Sequence, residues 1–371
     1  MFTPQVVKPP TSADVAAAAG VSRATVSFVL NDKPNSRIPE DTRRRVLEAA
    51  HQLGYSPNPT ARSLATSAVS GTVIATGPSD YGVGLRRAVD LWVQELLDDG
   101  GEVMVDAGVE TTGVEAATLW ARMRPERMLV AAERCDGAAT EVLRQAGVRA
   151  LLVYGDQAVD HAPLLSLSQC GYGSLAARHL LAFGHRSLCY LIPARSSQQA
   201  LAAARVAGAQ GAVEAAGGRL TRVIASADSA SLRDWAHGWR FQADPPTGVL
   251  AFDDGLAIAA IRALVDAGVR VPEEVSVIGA DDHPVGRDFI PRLTTVAFDA
   301  GRLAQDIGDA YTRMVGGTRV ERVPTPPLRL IERESVSSAS GLTAAGPPTA
   351  ASRAGLTALG PPTAPGQRGT R

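Results

Sequence analysis

Small polar side chains and one arginine share the predicted outward face of a short helix near the amino terminus. That face comprises Ser22, Arg23, Ala24, Thr25 and Ser27. The inward face of this helix and of the helix before it is apolar and comprises Val15, Ala19, Val21, Val26 and Leu30. A second helix of this kind can lie in the major groove of DNA and present its amino-terminal side chains to base edges. The pattern therefore indicates DNA binding, although a plain three-helix bundle has the same spacing.

A second set of candidates lies in the carboxyl-terminal half, where acids follow predicted strands. Asp253 and Asp254 follow one strand, and Asp281, Asp282 and His283 follow a later one. Acids at strand ends can bind a metal or assist hydrolysis. Because their spacing is not diagnostic, polar loop residues or contacts to a small molecule are the preferred explanation.

A glycine pair invites a third interpretation, a dinucleotide site. Gly82-Val83-Gly84 follows a predicted strand and Asp106 ends the next, but Arg87 stands at the third glycine position of the fingerprint. The sequence also lacks a phosphate-binding loop and a nucleophile elbow, and its three cysteines have no metal-ligand spacing. These features predict a protein that is not an enzyme and uses neither cofactor nor metal.

The elements that position the first set are three predicted helices. Thr11 and Asp14 have the spacing of a capping box, and Gly20 stands where a helix needs a left-handed residue to end. Ser22 follows after a short turn and can cap the second helix, which gives a helix-turn-helix unit. Pro39 opens a third helix that Gly54 ends.

The elements that position the second set alternate between strands and helices over residues 71–335. Apolar strand runs are predicted at 71–76, 102–106, 127–132, 187–192, 220–225, 247–252 and 275–279. Helical periodicity lies between them, as at 84–98, 199–216 and 254–267. This alternation predicts parallel sheets covered on both faces. Two such units in series resemble the periplasmic-binding-protein fold, with a ligand in the cleft between the lobes.

The net charge of −1 hides an uneven distribution. Residues 1–67 hold eight lysines and arginines against five acids, residues 68–336 hold 26 against 33, and the tail from 337 holds three arginines and no acid. The tail also repeats GLTAAGPPTA as GLTALGPPTA, which predicts disorder over 337–371. A basic head on an acidic body is typical of a separate nucleic-acid-binding module. With no membrane-spanning run and no secretory signal, we expect a cytoplasmic, nucleoid-associated protein.

Two stretches of the head have a distinctive order of residues. The first runs from Asp14-Val15-Ala16 through Gly20-Val21-Ser22-Arg23-Ala24-Thr25-Val26 to Leu30-Asn31. The second includes Leu53-Gly54-Tyr55-Ser56-Pro57-Asn58 and Ala61-Arg62-Ser63-Leu64. Together they resemble the DNA-binding head of the LacI/GalR family of bacterial transcription regulators. The resemblance extends through 71–335, more loosely in the first half of that segment.

The resemblance implies a transcription regulator, most simply a repressor, that binds a palindromic operator as a homodimer. The DNA contacts it implies fall on Ser22, Arg23, Ala24, Thr25, Ser27, Asn31, Tyr55, Asn58, Ala61 and Leu64. Arg23 and Ala24 would form the main base-reading pair, since arginine favours guanine and an alanine methyl can touch a thymine methyl. Phe28 stands where the best-known members carry arginine, so the base contact of that arginine is expected to be absent.

The resemblance also implies how the chain is divided. We expect a flexible arm at 1–10, a helix-turn-helix domain at 11–58, a hinge helix at 59–66 and an effector-binding, dimerising core at 71–335. The hinge helix would form when two subunits meet on an operator. Leu64 would then wedge into the minor groove and kink the duplex. A linker leucine packed on the core is the alternative for Leu64.

In the family, the effector is contacted by residues that match Arg205, Asp253 and Asp281, and Phe298 could stack on it. An arginine fork and carboxylates suit the vicinal hydroxyls of a sugar or related metabolite. A structural ion pair between Arg205 and Asp281 is the alternative. The loop at 77–82 lacks the usual cleft-lining residues, and Ser168 stands near a typical aspartate position. A LacI-like regulator with a degenerate, effector-free cleft is therefore the second functional hypothesis, ahead of an enzyme or a solute-binding protein.

Overall fold

The computed structural model describes residues 10–30, 38–55, 71–78, 81–156, 159–227 and 230–339. The chain divides into two compact units, Met1–Ser70 and Gly71–Arg371. The predicted hinge helix, residues 1–9 of the predicted arm and residues 340–371 of the predicted tail lie outside the described residues.

The described part of the first unit contains three helices. They are α1 (Ser12–Ala19), α2 (Arg23–Leu30) and α3 (Glu40–Leu53). The Thr11 hydroxyl accepts a hydrogen bond from the Asp14 amide at 3.4 Å, and the Asp14 carboxylate accepts one from the Thr11 amide at 2.7 Å. This is the predicted capping box, and it satisfies two donors that a helix start leaves open. Gly20 and Gly54 end α1 and α3 in the left-handed conformation, at φ +66° and +64°.

The head is held together by a small apolar core. Val15, Val26 and Val46 are fully buried at its centre. Val29, absent from the predicted inward set, is also buried, whereas Leu30 is only partly buried.

No single helix among the described residues is long and apolar enough to cross a membrane. The helices α1 and α2 meet the length and hydropathy criteria only when taken as a pair, and the pair is bent by 102°.

The second unit consists of two lobes with the same layout. The amino-terminal lobe has the strand order β11-β5-β4-β3-β1-β2, all in parallel pairs. Its strands are β1 (Gly71–Ala75), β2 (Glu102–Asp106), β3 (Arg127–Ala131), β4 (Ala150–Gly155), β5 (Leu164–Ser166) and β11 (Arg322–Pro324). Its helices are α4 (Gly82–Asp98), α5 (Gly113–Ala121), α6 (Gly137–Gln145) and α12 (Ala300–Val315).

The carboxyl-terminal lobe has the order β12-β10-β9-β8-β6-β7, and β12 runs antiparallel to β10. Its strands are β6 (Ser187–Pro193), β7 (Arg219–Ala225), β8 (Gly248–Ala251), β9 (Ser276–Ala280), β10 (Thr294–Ala297) and β12 (Arg329–Ile331). Its helices are α7 (Gln169–Ala182), α8 (Gln199–Ala215), α9 (Ala230–Gly238), α10 (Asp254–Asp266) and α11 (Pro284–Asp288).

The chain passes between the lobes three times: after β5, after β10 and between β11 and β12. After β10, α12 packs in the amino-terminal lobe, where the Tyr311 hydroxyl donates to the Met128 carbonyl at 2.7 Å and its ring stacks on Trp92. The first two crossings begin at the carboxyl ends of β5 and β10. The carboxyl ends of the strands of both sheets therefore lie next to each other where the chain crosses. Ligands of open parallel sheets bind at this end, and the predicted effector residues lie here.

Candidate DNA-reading helix and interlobe site

Ser22 and Thr25 fix the start of α2. The Ser22 hydroxyl accepts a hydrogen bond from the Thr25 amide at 3.1 Å, and the two hydroxyls lie 2.9 Å apart. Ser22 thus satisfies an amide that the helix start leaves open. Thr25 itself is partly buried, unlike the exposed outward position predicted for it.

The remaining residues predicted to read DNA divide into three groups. Arg23, Ala24 and Ser27 are exposed together on α2. Tyr55 is instead partly buried and packs against the core of the head. Asn31, Asn58, Ala61 and Leu64 lie outside the described residues.

Arg205 is the centre of the interlobe site, and its side chain is only 1% exposed. It donates from Nε to the Gln169 side-chain carbonyl at 2.8 Å and from Nη1 to the Phe252 carbonyl. Its guanidinium lies over two aromatic rings, 4.2 Å from the centroid of Tyr172 and 4.5 Å from that of Phe252. Burial alone would lower the pKa of Arg205, but nearby negative charge, above all that of Asp281, raises it. Arg205 therefore stays charged although no solvent reaches it.

Asp281 pairs with Arg205 and also reaches the other lobe. Its Oδ1 lies 3.7 Å from Arg205 Nη2, and its backbone has the unusual φ of +89°. A Cβ added to Gly82, at the start of α4, would lie 2.3 Å from Asp281 Oδ2. One added to Gly84 would lie 3.2 Å from the ring of Phe298. Gly82 and Gly84 of the amino-terminal lobe thus allow Asp281 and Phe298 of the carboxyl-terminal lobe to approach closely. This close approach leaves no space beside the two glycines for the pyrophosphate of a dinucleotide.

Asp253 and Asp254 have separate structural roles. The Asp253 carboxylate caps α10 by accepting from the Leu256 amide at 2.7 Å. Asp254 is buried and accepts from the Thr295 hydroxyl at 2.7 Å and the His283 amide at 2.6 Å. Burial raises the pKa of Asp254 to about 7, although these two hydrogen bonds oppose the shift.

The acids considered as a metal or hydrolase site are likewise engaged. Asp282 forms ion pairs with Arg287 and Arg333. Within the described ranges, no group of three His, Cys, Asp or Glu side chains is arranged to hold a metal ion.

One cavity between the lobes, lined by described residues, is small, about 20 Å³. Its lining includes Tyr81, Leu85, Leu167, Tyr172, Phe298 and Leu328. Such a volume holds about one water molecule, and ligand sites are typically ~300–1,000 Å³. As the described residues line it, this cavity is too small for a sugar.

Several residues of this site were not predicted from the sequence. Gln169, Tyr172 and Phe252 surround Arg205, and Gly82 contacts Asp281. The signal for Gly82 was the glycine pair at 82 and 84 that follows the end of β1 and begins α4. Tyr172 and Phe252 carry no sequence signal that distinguishes them from core aromatics.

Comparisons with known proteins agree with this architecture. The family model of bacterial regulatory proteins of the lacI family matches residues 11–58, and that of the periplasmic binding protein-like domain matches residues 177–336. The HTH-type transcriptional regulator GalS of Salmonella typhimurium is 30% identical over 329 residues, which cover 82% of this chain and 90% of GalS. The lactose operon repressor of Escherichia coli is 28% identical over 352 residues, which cover 91% of this chain and 94% of the repressor.

A solved structure of the Lac repressor dimer, bound to operator and the anti-inducer ONPF, is also similar. It has a TM-score of 0.69 and 26% identity, and the match covers 89% of this chain and all of that one. These relatives are transcription regulators rather than enzymes. The predicted family is confirmed, as is the fold class of a helical head followed by a two-lobed α/β core. The chain belongs to the lacI family of bacterial regulatory proteins.

Proposed function

We propose that this protein represses transcription in the cytoplasm by binding a palindromic operator as a homodimer, and that it carries out no enzymatic step. The observation that carries the proposal is the exposed face of α2, where Arg23, Ala24 and Ser27 stand beside a capped helix start. Arg23 would bind guanine in the major groove, and Ala24 would contact a thymine methyl.

The remaining DNA contacts are proposed from the family resemblance. Asn31, Asn58 and Ala61 would contact DNA near the head, and Leu64 would wedge into the minor groove from a hinge helix at 59–66. Tyr55 would contribute from the edge of the head core. The domain limits proposed with them are 11–58 for the DNA-binding domain and 71–335 for the core.

Dimerisation is supported by the free edges of the two sheets. Val105 on β2 is 59% exposed, and Ile224 on β7 is 62% exposed. The strands β2 and β7 occupy corresponding edges of the two lobes, and exposed apolar edge residues are typical of interfaces. A V105K/I224K variant should sediment as a monomer where the wild type sediments as a dimer. Unchanged sedimentation would remove these edges from the interface.

The DNA-binding proposal is tested by selecting duplexes from a random pool with the full-length chain. We expect one palindromic sequence, with an affinity that falls steeply as salt rises because phosphate contacts release counterions. Arg23→Ala should lose about tenfold or more in affinity at the guanine position, since a bidentate pair discriminates by ~1–3 kcal/mol. Failure to enrich any sequence at low salt would refute the proposal.

For the cleft, the main proposal is that a small molecule bound there modulates operator affinity, and an effector-free cleft is the alternative. The interlobe cavity measures only about 20 Å³, and Arg205 is fully engaged by protein groups. The first hypothesis, in which Arg205, Asp253, Asp281 and Phe298 bind a sugar or related metabolite, requires these contacts to open. A thermal-shift screen of the full chain against sugars and nucleosides separates the two. A compound that raises Tm in the wild type but not in Arg205→Ala would contradict the effector-free form.

A further inference from the structure

A second pocket lies in the amino-terminal lobe, at the end of the sheet opposite the interlobe site. As the described residues line it, its volume is about 720 Å³, within the range of ~300–1,000 Å³ that ligand pockets span. It is bounded by α6, by the carboxyl end of α12 and by the residues that precede β4, β5 and β11. These strands are parallel, so their amino ends lie together. Among the described residues, this pocket and the interlobe cavity share no lining residue.

Much of the wall of this pocket is apolar. Leu143 and Val320 line it and are buried. Partly buried apolar residues complete this part of the wall, namely Val148, Leu151, Val159, Ala162, Pro163 and Met314. Because the removal of apolar surface from water is favourable, such a wall can bind the apolar body of a ligand.

Three arginines also line the pocket, and each of their side chains is more than half exposed. They are Arg144, Arg149 and Arg319, and the acids of the lining are Asp160 and Glu321. Each arginine forms an ion pair with a glutamate. An arginine has five N–H donors, of which the bonds to protein groups engage one or two here. Guanidinium groups beside an apolar wall suit a ligand that carries a carboxylate.

Two long segments of this chain outside the described residues are poor occupants by their charge. Residues 56–70 contain one arginine and no acidic side chain, and residues 340–371 contain three arginines and no acidic side chain. Because like charges repel, arginines in the lining disfavour both segments. A small external anion is the better match.

The pocket is connected to each crossing between the lobes by a single element. The strand β5 follows Pro163 of the pocket and leads to Leu167 of the interlobe cavity. The strand β11 follows Glu321 of the pocket and leads to Thr325 of that cavity. The helix α12 begins after the crossing that follows β10 and reaches the pocket at Met314. A ligand in the pocket would therefore contact the far end of all three connecting elements.

We propose that this pocket is a second ligand site, which binds a small carboxylic acid with an apolar body and thereby stabilises the arrangement of the two lobes. The apolar wall contacts the body of the acid, and an arginine of the lining binds its carboxylate. The site lies by β11 and β5, at the opposite edge of the sheet from β2. It stays accessible when β2 forms a dimer interface. The inference goes beyond operator binding and does not depend on it.

The first test titrates the full-length chain with the fluorescent probe anilinonaphthalene sulfonate, which combines an aromatic body with one anionic group. Octanoate should displace the probe at about one tenth of the concentration that octanol needs, because the alcohol has the same apolar chain without the charge. Arg319→Glu should weaken binding of both the probe and octanoate about tenfold, the effect of losing one charge-assisted hydrogen bond. The Arg319 side chain is 86% exposed, so this substitution leaves the fold intact.

Arg262→Glu is the matched control, because Arg262 also forms an exposed ion pair but lies in the other lobe. It should bind the probe and octanoate as the wild type does. Ala162→Phe places a ring in the pocket and should abolish displaceable probe binding, with thermal melting to show that the lobe still folds. Equal affinities in Arg319→Glu and Arg262→Glu would overturn the inference. So would a loss of probe binding in V105K/I224K alone, since the probe would then lie on the exposed sheet edges.

Hydrogen exchange tests the effect on the lobes. Saturating octanoate should slow exchange of the wild-type amides at 164–169 and 322–325, and the same concentration should have a smaller effect in Arg319→Glu. Slowing confined to 317–321 would show that the ligand does not affect the lobes. Octanoate binding that is lost in Arg205→Ala and kept in Arg319→Glu would place the ligand in the interlobe site and overturn the second site.

Discussion

Each lobe of the core buries one arginine at the carboxyl ends of its strands, and the two are held differently. In the amino-terminal lobe, Arg134 is fully buried and lies 2.8 Å from Asp106 Oδ2. It also donates to the carbonyls of Thr76 and Thr111, each at 2.9 Å, and its guanidinium lies over Trp120. Every one of these partners belongs to its own lobe. Arg134 therefore links the ends of β1 and β2 to the loop at 107–112 and stabilises this part of the lobe.

In the carboxyl-terminal lobe, Arg205 has a looser ion pair, 3.7 Å from Asp281. Asp281 in turn approaches Gly82 of the other lobe. Both arginines thus lie at the carboxyl ends of the strands of their lobe. Arg134 stabilises its own lobe, whereas Arg205 contributes through Asp281 to the contact between the lobes. The difference shows that burial of an arginine does not by itself identify a ligand site, since its partners decide what it does.

The largest effect is expected from removal of Arg134. Arg134→Met keeps the length of the side chain but removes the positive charge paired with the partly buried Asp106, one of the three hydrogen bonds to that carboxylate and the hydrogen bonds to two carbonyl oxygens. Breaking a buried pair in this way costs about 3–5 kcal/mol in the free energy of unfolding. Urea denaturation followed by circular dichroism measures the loss, and hydrogen exchange should locate it at β1, β2 and β3.

Arg262→Met is the control for Arg134→Met, because Arg262 forms an ion pair with Asp266 on an exposed turn of α10. Exposed pairs contribute about 0–1 kcal/mol. Equal losses in the two variants would mean that the Arg134 network does not hold the lobe together.

A smaller loss of stability is expected when a side chain is added at the contact between the lobes. Gly82 has φ +84°, and a Cβ there would press on Asp281. Gly82→Ala therefore combines the cost of a left-handed alanine, ~1–2 kcal/mol, with steric pressure of about another 1–2 kcal/mol. The lobes can relieve that pressure by opening. Hydrogen exchange of the amides at 82–85 and 281–283 should then increase.

Gly100→Ala is matched to Gly82→Ala, since Gly100 has φ +76° with no neighbouring atom within 4 Å of an added Cβ. It carries the conformational cost alone and should leave exchange at 281–283 as in the wild type. If both variants lose the same stability and exchange alike, Asp281 does not hold the lobes together.

The contrast between the arginines also shows where sequence-based prediction succeeds. The capping box at Thr11, the glycine ends of α1 and α3 and the strand over Glu102–Asp106 were predicted because each depends on a few neighbouring residues. The pairing of Arg205 with Asp281 was predicted as one of two alternatives, because buried charges are usually paired.

What the sequence did not predict depends on distant parts of the chain. The helical spacing of α3 predicts that Leu47 belongs to the apolar stripe with Val46 and Ala50, yet Leu47 is 48% exposed. The closure at Gly82 results from how two lobes meet after three crossings, and no local pattern encodes that. The filling of the cleft by Tyr81 and Tyr172 has the same origin.

The smallest effect concerns the acids of the two lobes and their response to pH. Burial alone would raise the pKa of Asp106, but hydrogen bonds from Trp120, Gly108 and Arg134 lower it below its ordinary value. Asp254 receives its hydrogen bonds from a hydroxyl and an amide, and burial raises its pKa to about 7, above the ordinary 3.8. The folded protein thus holds a proton on Asp254 more tightly than the unfolded chain does. That stabilisation is complete below pH 4 and is lost as the pH rises through 7.

Asp254→Asn should remove this dependence, because the amide can accept from the His283 amide and donate to the Thr295 hydroxyl. From pH 6.5 to 8, the wild type should lose about 1 kcal/mol in free energy of unfolding relative to the variant. The lowered pKa values of His179 and His185 also act near this range, but they are common to both proteins and cancel in the difference. Asp106→Asn, measured the same way, should give a constant difference, since Asp106 is ionised throughout. A constant difference for Asp254→Asn as well would show that Asp254 is ionised in the folded protein, and the two lobes would then hold their acids alike.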